Sequence, residues 1–251
     1  MKWSCLSGHT GRWVSSEVIS TRHHTPVYLN NILLTSSVVV TGNNWLKCHN
    51  LFQAINLAIP ERNLFQTNQS LFVSPEIKSF WTDMTMELRK ILKLYRELRF
   101  CGDGRSDSPG DSPAQYCTYV FMEHFSKLLV DLEVLDCRET SGISTRMEKE
   151  GLVRLLLRLK GQFDLTEIIT DASTTVIKAI SDLKNSHPEF YNKLFHSLDV
   201  WHKSKSLRKA MAKICKKKET EDLKQWVEPI INHFWHCSQN CNLDLKKFKV
   251  L

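Results

Sequence analysis

The feature that most constrains the fold of this chain is the order of strand and helix patterns between residues 98 and 200. Three strand patterns come first, at residues 98–101, 116–123 and 128–135, where branched and aromatic side chains are frequent. A fourth strand pattern at residues 165–171 and a fifth at residues 194–200 alternate with helix patterns. Hairpin-linked strands followed by alternating helices and strands predict an α/β fold, in which right-handed crossovers join the parallel strands.

The segments between these strands agree with that order. Residues 102–110 are rich in glycine, aspartate and proline and are predicted to form a loop after the first strand. Ser144 or Thr145 is predicted to cap the next helix, whose buried stripe is Leu152, Leu155, Leu156 and Leu159. A further helix begins near residues 172–174 and is interrupted at Pro188. The arrangement predicts a ribonuclease H-like mixed sheet flanked by helices.

Three regions follow from this pattern. Residues 1–92 are predicted to form a mainly helical N-terminal region, residues 93–205 the ribonuclease H-like core, and residues 206–251 a basic helical segment. In the first region, Pro75 is predicted to open a helix with Ser74 as its cap. The apolar side chains of that helix recur at helical spacing and are predicted to be buried: Ile77, Phe80, Trp81, Met84, Leu88 and Ile91.

Positive charge is concentrated toward the C-terminus. The formal net charge is +7, and residues 193–251 contain 13 lysines and arginines against 6 aspartates and glutamates. Such a segment suits a phosphate backbone, although a solvated helix face has the same composition. No run of about 18 apolar residues occurs, so no membrane span is predicted.

The eight cysteines are too loosely spaced along the chain to predict a disulfide scaffold, and we expect most of them to be reduced. Cys237 and Cys241 could lie on one helical face with His233 or His236. That group could bind a metal ion, but two half-buried thiols are the more ordinary interpretation of the same spacing.

Two acidic residues stand where strands of the predicted sheet end. Asp103 follows the first core strand and Asp171 ends the fourth, and these strands are neighbours in a ribonuclease H-like sheet. Two carboxylates at close range repel each other unless a cation neutralises them. Mg²⁺ or Mn²⁺ prefers carboxylate oxygens, and a pair of such ions supports phosphodiester cleavage. The alternative is that both aspartates only stabilise turns and helix caps.

Several short segments resemble, in their shared order, a family of animal transposase-derived proteins. Residues 102–110, GDGRSDSPG, and residues 116–119, YCTY, are similar to the family's GDGRxDSPG and YCTY signature. Further similar segments are MEKEG at 147–151, ITD at 169–171, DVWH at 199–202, KKK at 216–218 and NHFW at 232–235. The order from the fourth strand onward also resembles Mutator-like transposases.

The resemblance implies a DDE-type active site. Asp103 and Asp171 become the first and second catalytic acids and ligands of Mg²⁺ or Mn²⁺. Nearby or auxiliary positions are Asp107, Asp199 and His202, of which His202 could contact phosphate, orient a carboxylate or pack beside Trp201.

Transposases of this kind also need a third acid, usually a glutamate on a later helix. The chain ends at Leu251, before the position expected for that helix. Glu228 is too early and stands beside Pro229, and Glu148 lies on a different helix from the family's glutamate, so neither is assigned. Ser106 replaces a cysteine that is common in the family signature. We therefore expect catalysis to be impaired, because the reaction depends on both metal sites.

The predicted function is that of a domesticated or degenerate DDE-type DNA transposase fragment with residual nucleic-acid binding. Non-specific phosphate contacts to DNA are assigned to Lys203, Lys205, Arg208, Lys209, Lys213, Lys216, Lys217 and Lys218. One alternative is a non-enzymatic protein-interaction module with unidentified protein partners, and another is an active divalent-metal-dependent nuclease or transposase. Nuclear localisation is expected from the resemblance and from the basic run at residues 216–218.

Overall fold

The computed structural model describes residues 2–22, 25–108, 114–143, 146–241 and 244–250, without the side chains of Lys218, Leu245 and Val250. The predicted cap residues Ser144 and Thr145, and the end of the predicted loop at residues 109–110, lie outside the described residues. The chain divides into two compact units, Met1–Met86 and Glu87–Leu251.

The first unit begins with two short hairpins that the sequence did not indicate. They pair β1 (Lys2–Ser4) with β2 (Thr10–Arg12) and β3 (Val18–Arg22) with β4 (Thr25–Tyr28) in antiparallel fashion. The predicted helical character then follows, in α1 (Leu29–Val40), α2 (Trp45–Ala54), α3 (Arg62–Asn68) and the start of α4 (Ser74–Leu92). Side chains buried in this unit include Val38, Phe65 and Val73.

Helix α4 begins at Ser74, beside Pro75, but the prediction that Ser74 caps it is wrong. Residues Gln69–Val73 form a π-helical turn that joins α3 directly to α4, and Ser74 has helical backbone angles. A proline inside a helix lacks a donor and crowds the carbonyl four residues earlier. A wider π turn immediately before Pro75 relieves both problems, which explains how the helix continues through it.

The buried stripe of α4 is also shifted from the predicted one. Ile77, Phe80, Met84 and Ile91 are exposed, whereas Thr85, Leu88 and Leu92 are buried. The helical period was predicted correctly, but the buried positions are shifted by one residue, from Met84 to Thr85 and from Ile91 to Leu92. Apolar residues occupy both faces, so composition alone does not decide between them.

The second unit contains a five-stranded mixed sheet in the order β7-β6-β5-β8-β9. Its strands are β5 (Leu98–Ser106), β6 (Tyr116–Glu123), β7 (Leu129–Asp136), β8 (Leu165–Thr170) and β9 (Phe195–Leu198). The first three pair antiparallel, while β8 runs parallel to both β5 and β9. The predicted α/β class, a ribonuclease H-like mixed sheet flanked by helices, is confirmed.

Strand β5 is longer than predicted, because the glycine-rich residues after Cys101 continue it rather than form a loop. Register with β6 continues from Gly102 opposite Phe121 to Ser106 opposite Cys117. The neighbouring strand supplies the hydrogen bonds that hold this segment extended, so tertiary pairing overrides the local turn signal. Asp103 therefore lies within a strand rather than at its end.

Helix α5 (Met147–Leu159) covers one face of the sheet. Its predicted stripe is buried, with Leu152 and Leu155 fully inaccessible. Gly151 lets the helix approach closely, because a Cβ atom there would lie 2.6 Å from Tyr119 Cβ. Helix α6 (Thr174–Ser186) packs against α5 and contributes Val176, Ala179, Ile180 and Leu183 to the same core.

The remainder of the chain is helical, as predicted. After α7 (Pro188–Tyr191), α8 (Val200–Ile214) spans the predicted boundary between residues 205 and 206. A 3-10 segment (Lys218–Trp226), α9 (Val227–Asn240) and α10 (Leu245–Val250) follow. Within the described residues, no helix combines the length and apolar character needed to cross a membrane.

Candidate metal centre and nucleic-acid surface

Asp103 lies in β5, and Asp171 directly follows the adjacent parallel strand β8, at corresponding positions. The last registered pair of β5 and β8 is Cys101 with Ile169, and each aspartate stands two residues further along its own chain. Asp103 is exposed, and its Oδ1 accepts a hydrogen bond of 2.8 Å from the backbone N–H of Gly104. Their assignment as metal ligands stays a prediction, although the strand register gives both residues the same sheet edge.

His202 joins Asp171 to Asp199. Its Nδ1 is in direct contact with Asp171 Oδ1 and lies 3.0 Å from Asp199 Oδ2. Asp199 is the N-cap of α8, where its Oδ1 accepts a hydrogen bond of 2.7 Å from Trp201 N–H. Among the described residues, these three form the group whose potential metal-ligand atoms all lie within 4.8 Å of one another. The helix cap therefore fixes the imidazole against the acid that follows β8.

Glu148 is a third carboxylate beside this edge, and the sequence did not assign it. It lies in the first turn of α5 and packs on β5 next to Asp103: a Cβ atom on Gly104 would lie 2.7 Å from Glu148 Cγ. Burial raises the pKa of the Glu148 carboxyl, and the negative charges of Asp103 and Asp171 raise it further. The side chain of Glu148 makes no hydrogen bond or ion pair with any residue in the described part of the chain. A half-buried carboxylate is thus left without a positive partner.

Neighbouring groups respond to the same negative charge. Burial raises the pKa of Asp171, Asp103 and Asp199 raise it further, and His202 and Lys205 oppose them. Burial also raises the pKa of Tyr119, with further contributions from Glu148 and Asp103. The edge of the sheet is therefore a region of concentrated negative charge that His202 and Lys205 offset only in part.

The topology explains why Glu148 lies here. Strand β7 runs in the same direction as β5, since β6 is antiparallel to both. The helix that follows β7 consequently begins at the edge where β5 and β8 end. The position of Glu148 in the first turn of this helix was visible in the sequence. It indicates that the residue lies near Asp103 only when the strand order is known.

The other acids that the sequence singled out or rejected have separate contacts. Asp107 lies four residues beyond Asp103, about 13 Å along an extended strand, and its Oδ1 accepts a hydrogen bond from Gln115 N–H. It is thus a hairpin residue. Glu228, on α9, forms an ion pair with Arg208.

The predicted basic surface lies mostly on α8. The side chains of Lys203, Lys205, Arg208, Lys209, Lys213, Lys216 and Lys217 are exposed, and that of Lys218 lies outside the described residues. Arg208 is neutralised by Glu228, so its positive charge contributes less than the sequence suggested. The Nζ of Lys205 lies 4.7 Å from the centre of the Trp201 ring, which is itself 4.6 Å from the His202 ring.

The edge of the sheet where Asp103 and Asp171 lie, toward the C-terminal ends of β5 and β8, is called the acidic edge below. A cavity of about 880 Å³ adjoins it. Asp103, Asp171 and His202 line it, and so do Trp235 of α9 and Phe248 of α10. The thiol of Cys237 lies 3.5 Å from His233 Nε2 within α9. Cys237 is buried and Cys241 is half-buried.

No family model matches this chain, and no curated protein matches it. Among solved structures, the chain is similar to the catalytic core domain of the HTLV-2 integrase, described in complex with magnesium in a dimeric form. The two are 14% identical, the match covers 55% of this chain and 86% of that one, and the TM-score is 0.26. A likeness at this level is a finding about similarity alone and carries nothing about activity.

Proposed function

We propose that this chain binds nucleic acid and cleaves phosphodiester bonds with Mg²⁺ or Mn²⁺ held by Asp103, Asp171 and Glu148. The observation that carries the proposal is the environment of Glu148. Its carboxylate is half-buried, faces the charge of two other carboxylates and has no positive partner among the described residues. A bound divalent cation is the ordinary way for such a group to stay ionised.

All three proposed ligands offer carboxylate oxygens, which are the donors that Mg²⁺ and Mn²⁺ prefer. When bound, the cation supplies an activated water or hydroxyl and stabilises the leaving oxygen in phosphodiester cleavage. Asp199 holds His202 through its 3.0 Å contact, and His202 in turn orients Asp171. Lys205, whose charge acts on Asp171, is suited to attract a phosphate beside the acids.

The test is nicking of supercoiled DNA by the purified full chain in Mg²⁺ or Mn²⁺. We expect nicking in the wild type, and a loss of about 100-fold or more in Glu148→Gln, Asp103→Asn and Asp171→Asn, because each removes a proposed metal ligand. Glu150→Gln is the matched control. It lies on the same helix two residues away, but its carboxylate is paired with Arg154 at 2.9 Å.

Equal activity in the Glu148→Gln and Glu150→Gln proteins would remove Glu148 from the site. A wild-type protein that cleaves no DNA in either metal would end the catalytic proposal altogether.

A second candidate is a nucleic-acid-binding protein of transposase descent that has lost catalysis. The observation favouring it is that His202 already contacts Asp171 and Asp199, so a protonated imidazole could balance part of the acidic charge without a metal ion. This candidate predicts DNA affinity that falls steeply with salt, through the exposed lysines of α8, and no nicking.

The chain's proposed partner is DNA bound through its phosphates, and its proposed location is the nucleus.

A further inference from the structure

The exposed indole of Trp201 lies beside the acidic edge. Half of this residue's surface, 51%, is accessible to solvent, so the indole is free to contact a ligand. The hydrogen bond from its backbone N–H to Asp199 fixes its place at the start of α8. The ring stands 4.6 Å from the imidazole of His202, which contacts Asp171. The indole is therefore held next to the proposed metal ligands.

We propose that Trp201 and Lys205 form a stacking platform for an unpaired nucleobase beside the phosphate at the acidic edge. This rests on the proposed function and specifies its substrate: single-stranded nucleic acid, or a duplex opened at the site, rather than an intact duplex. An aromatic ring stacks on any base, whereas bases within a duplex keep their faces covered by their neighbours.

Lys205 adds charge complementarity to the flat aromatic surface. Its Nζ lies 4.7 Å from the centre of the Trp201 ring, and its charge also acts on Asp171. A lysine side chain is long and flexible, so the ammonium can contact a phosphate while the base rests on the indole. Stacked aromatic rings beside exposed lysines are the combination that single-strand-binding grooves use.

A matched control is present in the same compact unit. Trp226 is 55% exposed, close to the value for Trp201, and it lies at the end of the 3-10 segment before α9. Neither indole lines the cavity beside the acids, but Trp201 lies between Val200 and His202, which do, and its ring is 4.6 Å from that of His202. Two tryptophans of similar exposure thus differ in their proximity to the proposed site.

The experiment measures binding of labelled single-stranded and duplex oligonucleotides to the full chain in EDTA by fluorescence anisotropy. We expect Trp201→Ala and Trp201→Leu to weaken single-strand binding about tenfold or more, and duplex binding about twofold or less. Trp201→Phe keeps an aromatic face and should retain most of the affinity. Trp226→Ala should bind like the wild type.

The outcomes separate this proposal from the one on which it rests. Equal losses in the Trp201 and Trp226 variants, or equal losses for single strand and duplex, would overturn the stacking platform. If the wild type cleaves DNA with Mg²⁺ but the Trp201 variants bind single strands normally, this inference alone fails. A wild type that binds neither nucleic acid refutes both. Trp201→Leu keeps an apolar side chain, so the test remains decisive even if the alanine variant is unstable.

Discussion

Two groups of carboxylates meet helix α5, and they differ in what balances their charge. On one side, Asp131, Glu133, Glu139 and Glu150 are paired with three arginines. Arg89 and Arg158 each lie 2.9 Å from Asp131 Oδ2, and Arg154 lies 2.7 Å from Glu139 Oε2. On the other side, Glu148 faces Asp103 and Asp171 without any arginine or lysine of its own in the described residues.

This difference separates acids that hold the fold together from acids that are available for chemistry. Glu148 and Glu150 are two residues apart on one helix, yet Glu150 is paired with Arg154 and Glu148 has no such partner in the part of the chain that the structure describes. Removing one partner of a buried ion pair lowers stability because it leaves a charge unpaired, whereas removing a crowded and unpaired carboxylate relieves repulsion. Equivalent substitutions in the two groups should therefore have opposite effects on stability.

The largest effect is expected at Asp131. Its side chain is only 7% exposed and accepts hydrogen bonds from Arg89 and Arg158. Asp131→Asn should lower the free energy of unfolding by about 3 kcal/mol, because it breaks a nearly buried charge pair. Urea denaturation of the variant and the wild type measures this. A loss below about 0.5 kcal/mol would mean that the arginine-paired group does not stabilise the fold.

The next effect is expected at Gly104, which makes room for Glu148. A methyl group there would lie 2.7 Å from Glu148 Cγ, so the glutamate side chain must move. Gly104→Ala should weaken Mn²⁺ binding about tenfold or more without removing any charge. Gly142→Ala is the comparison, since a Cβ atom there would meet no atom within 4 Å. Its φ of +76° strains any side chain, so this variant should lose stability and keep its affinity for Mn²⁺. If Gly104→Ala changed stability but not metal affinity, the close packing on β5 would be structural only.

A smaller effect of opposite sign to that at Asp131 is expected at Glu148. Without divalent metal at neutral pH, Glu148→Gln should raise the free energy of unfolding by about 1 kcal/mol, because it removes a half-buried charge beside two like charges. Urea denaturation in EDTA tests this against Glu150→Gln, which should be neutral or destabilising through loss of the Arg154 pair. A destabilised Glu148→Gln protein would show that the carboxylate has a favourable partner after all.

The smallest effect is a difference in pH dependence. The raised pKa of Glu148 means that the folded protein binds this proton more tightly than the unfolded chain. The stabilisation that comes from protonated Glu148 is therefore complete below the ordinary glutamate pKa, and it is lost as the pH rises through the raised value. Glu139 is opposite: hydrogen bonds from Asp136 N–H and Arg154 lower its pKa, so its contribution is lost as the pH falls. In EDTA, the free energy of unfolding should fall less as the pH rises from the ordinary glutamate pKa through the raised one in Glu148→Gln than in the wild type. The same decline should be unchanged in Glu139→Gln.

The fold was largely predictable from the sequence, and the site only in part. Alternating strand and helix patterns predicted the five-stranded sheet, and the leucine stripe of α5 was predicted residue by residue. The extension of β5 through Gly102 was missed because its hydrogen bonds come from β6, a partner that local turn signals ignore. The inward face of α4 was misassigned because apolar residues lie on both sides of that helix.

Glu148 was missed for a different reason. Its distance from Asp103 along the chain says nothing about proximity until β7 and β5 are known to run in the same direction. The resemblance implies a glutamate on a later helix, which is not the position of Glu148. The lack of a basic partner among the described residues, which now distinguishes this glutamate, is a three-dimensional property that spacing cannot reveal.

Calorimetric titration of Mn²⁺ into the wild type, Glu148→Gln and Glu150→Gln at neutral pH tests the central claim most directly. If three carboxylates at the sheet edge share a divalent cation, the wild type and Glu150→Gln bind Mn²⁺ equally, and Glu148→Gln binds it about tenfold more weakly or worse. Equal binding by all three proteins, or no binding by the wild type, would contradict the account.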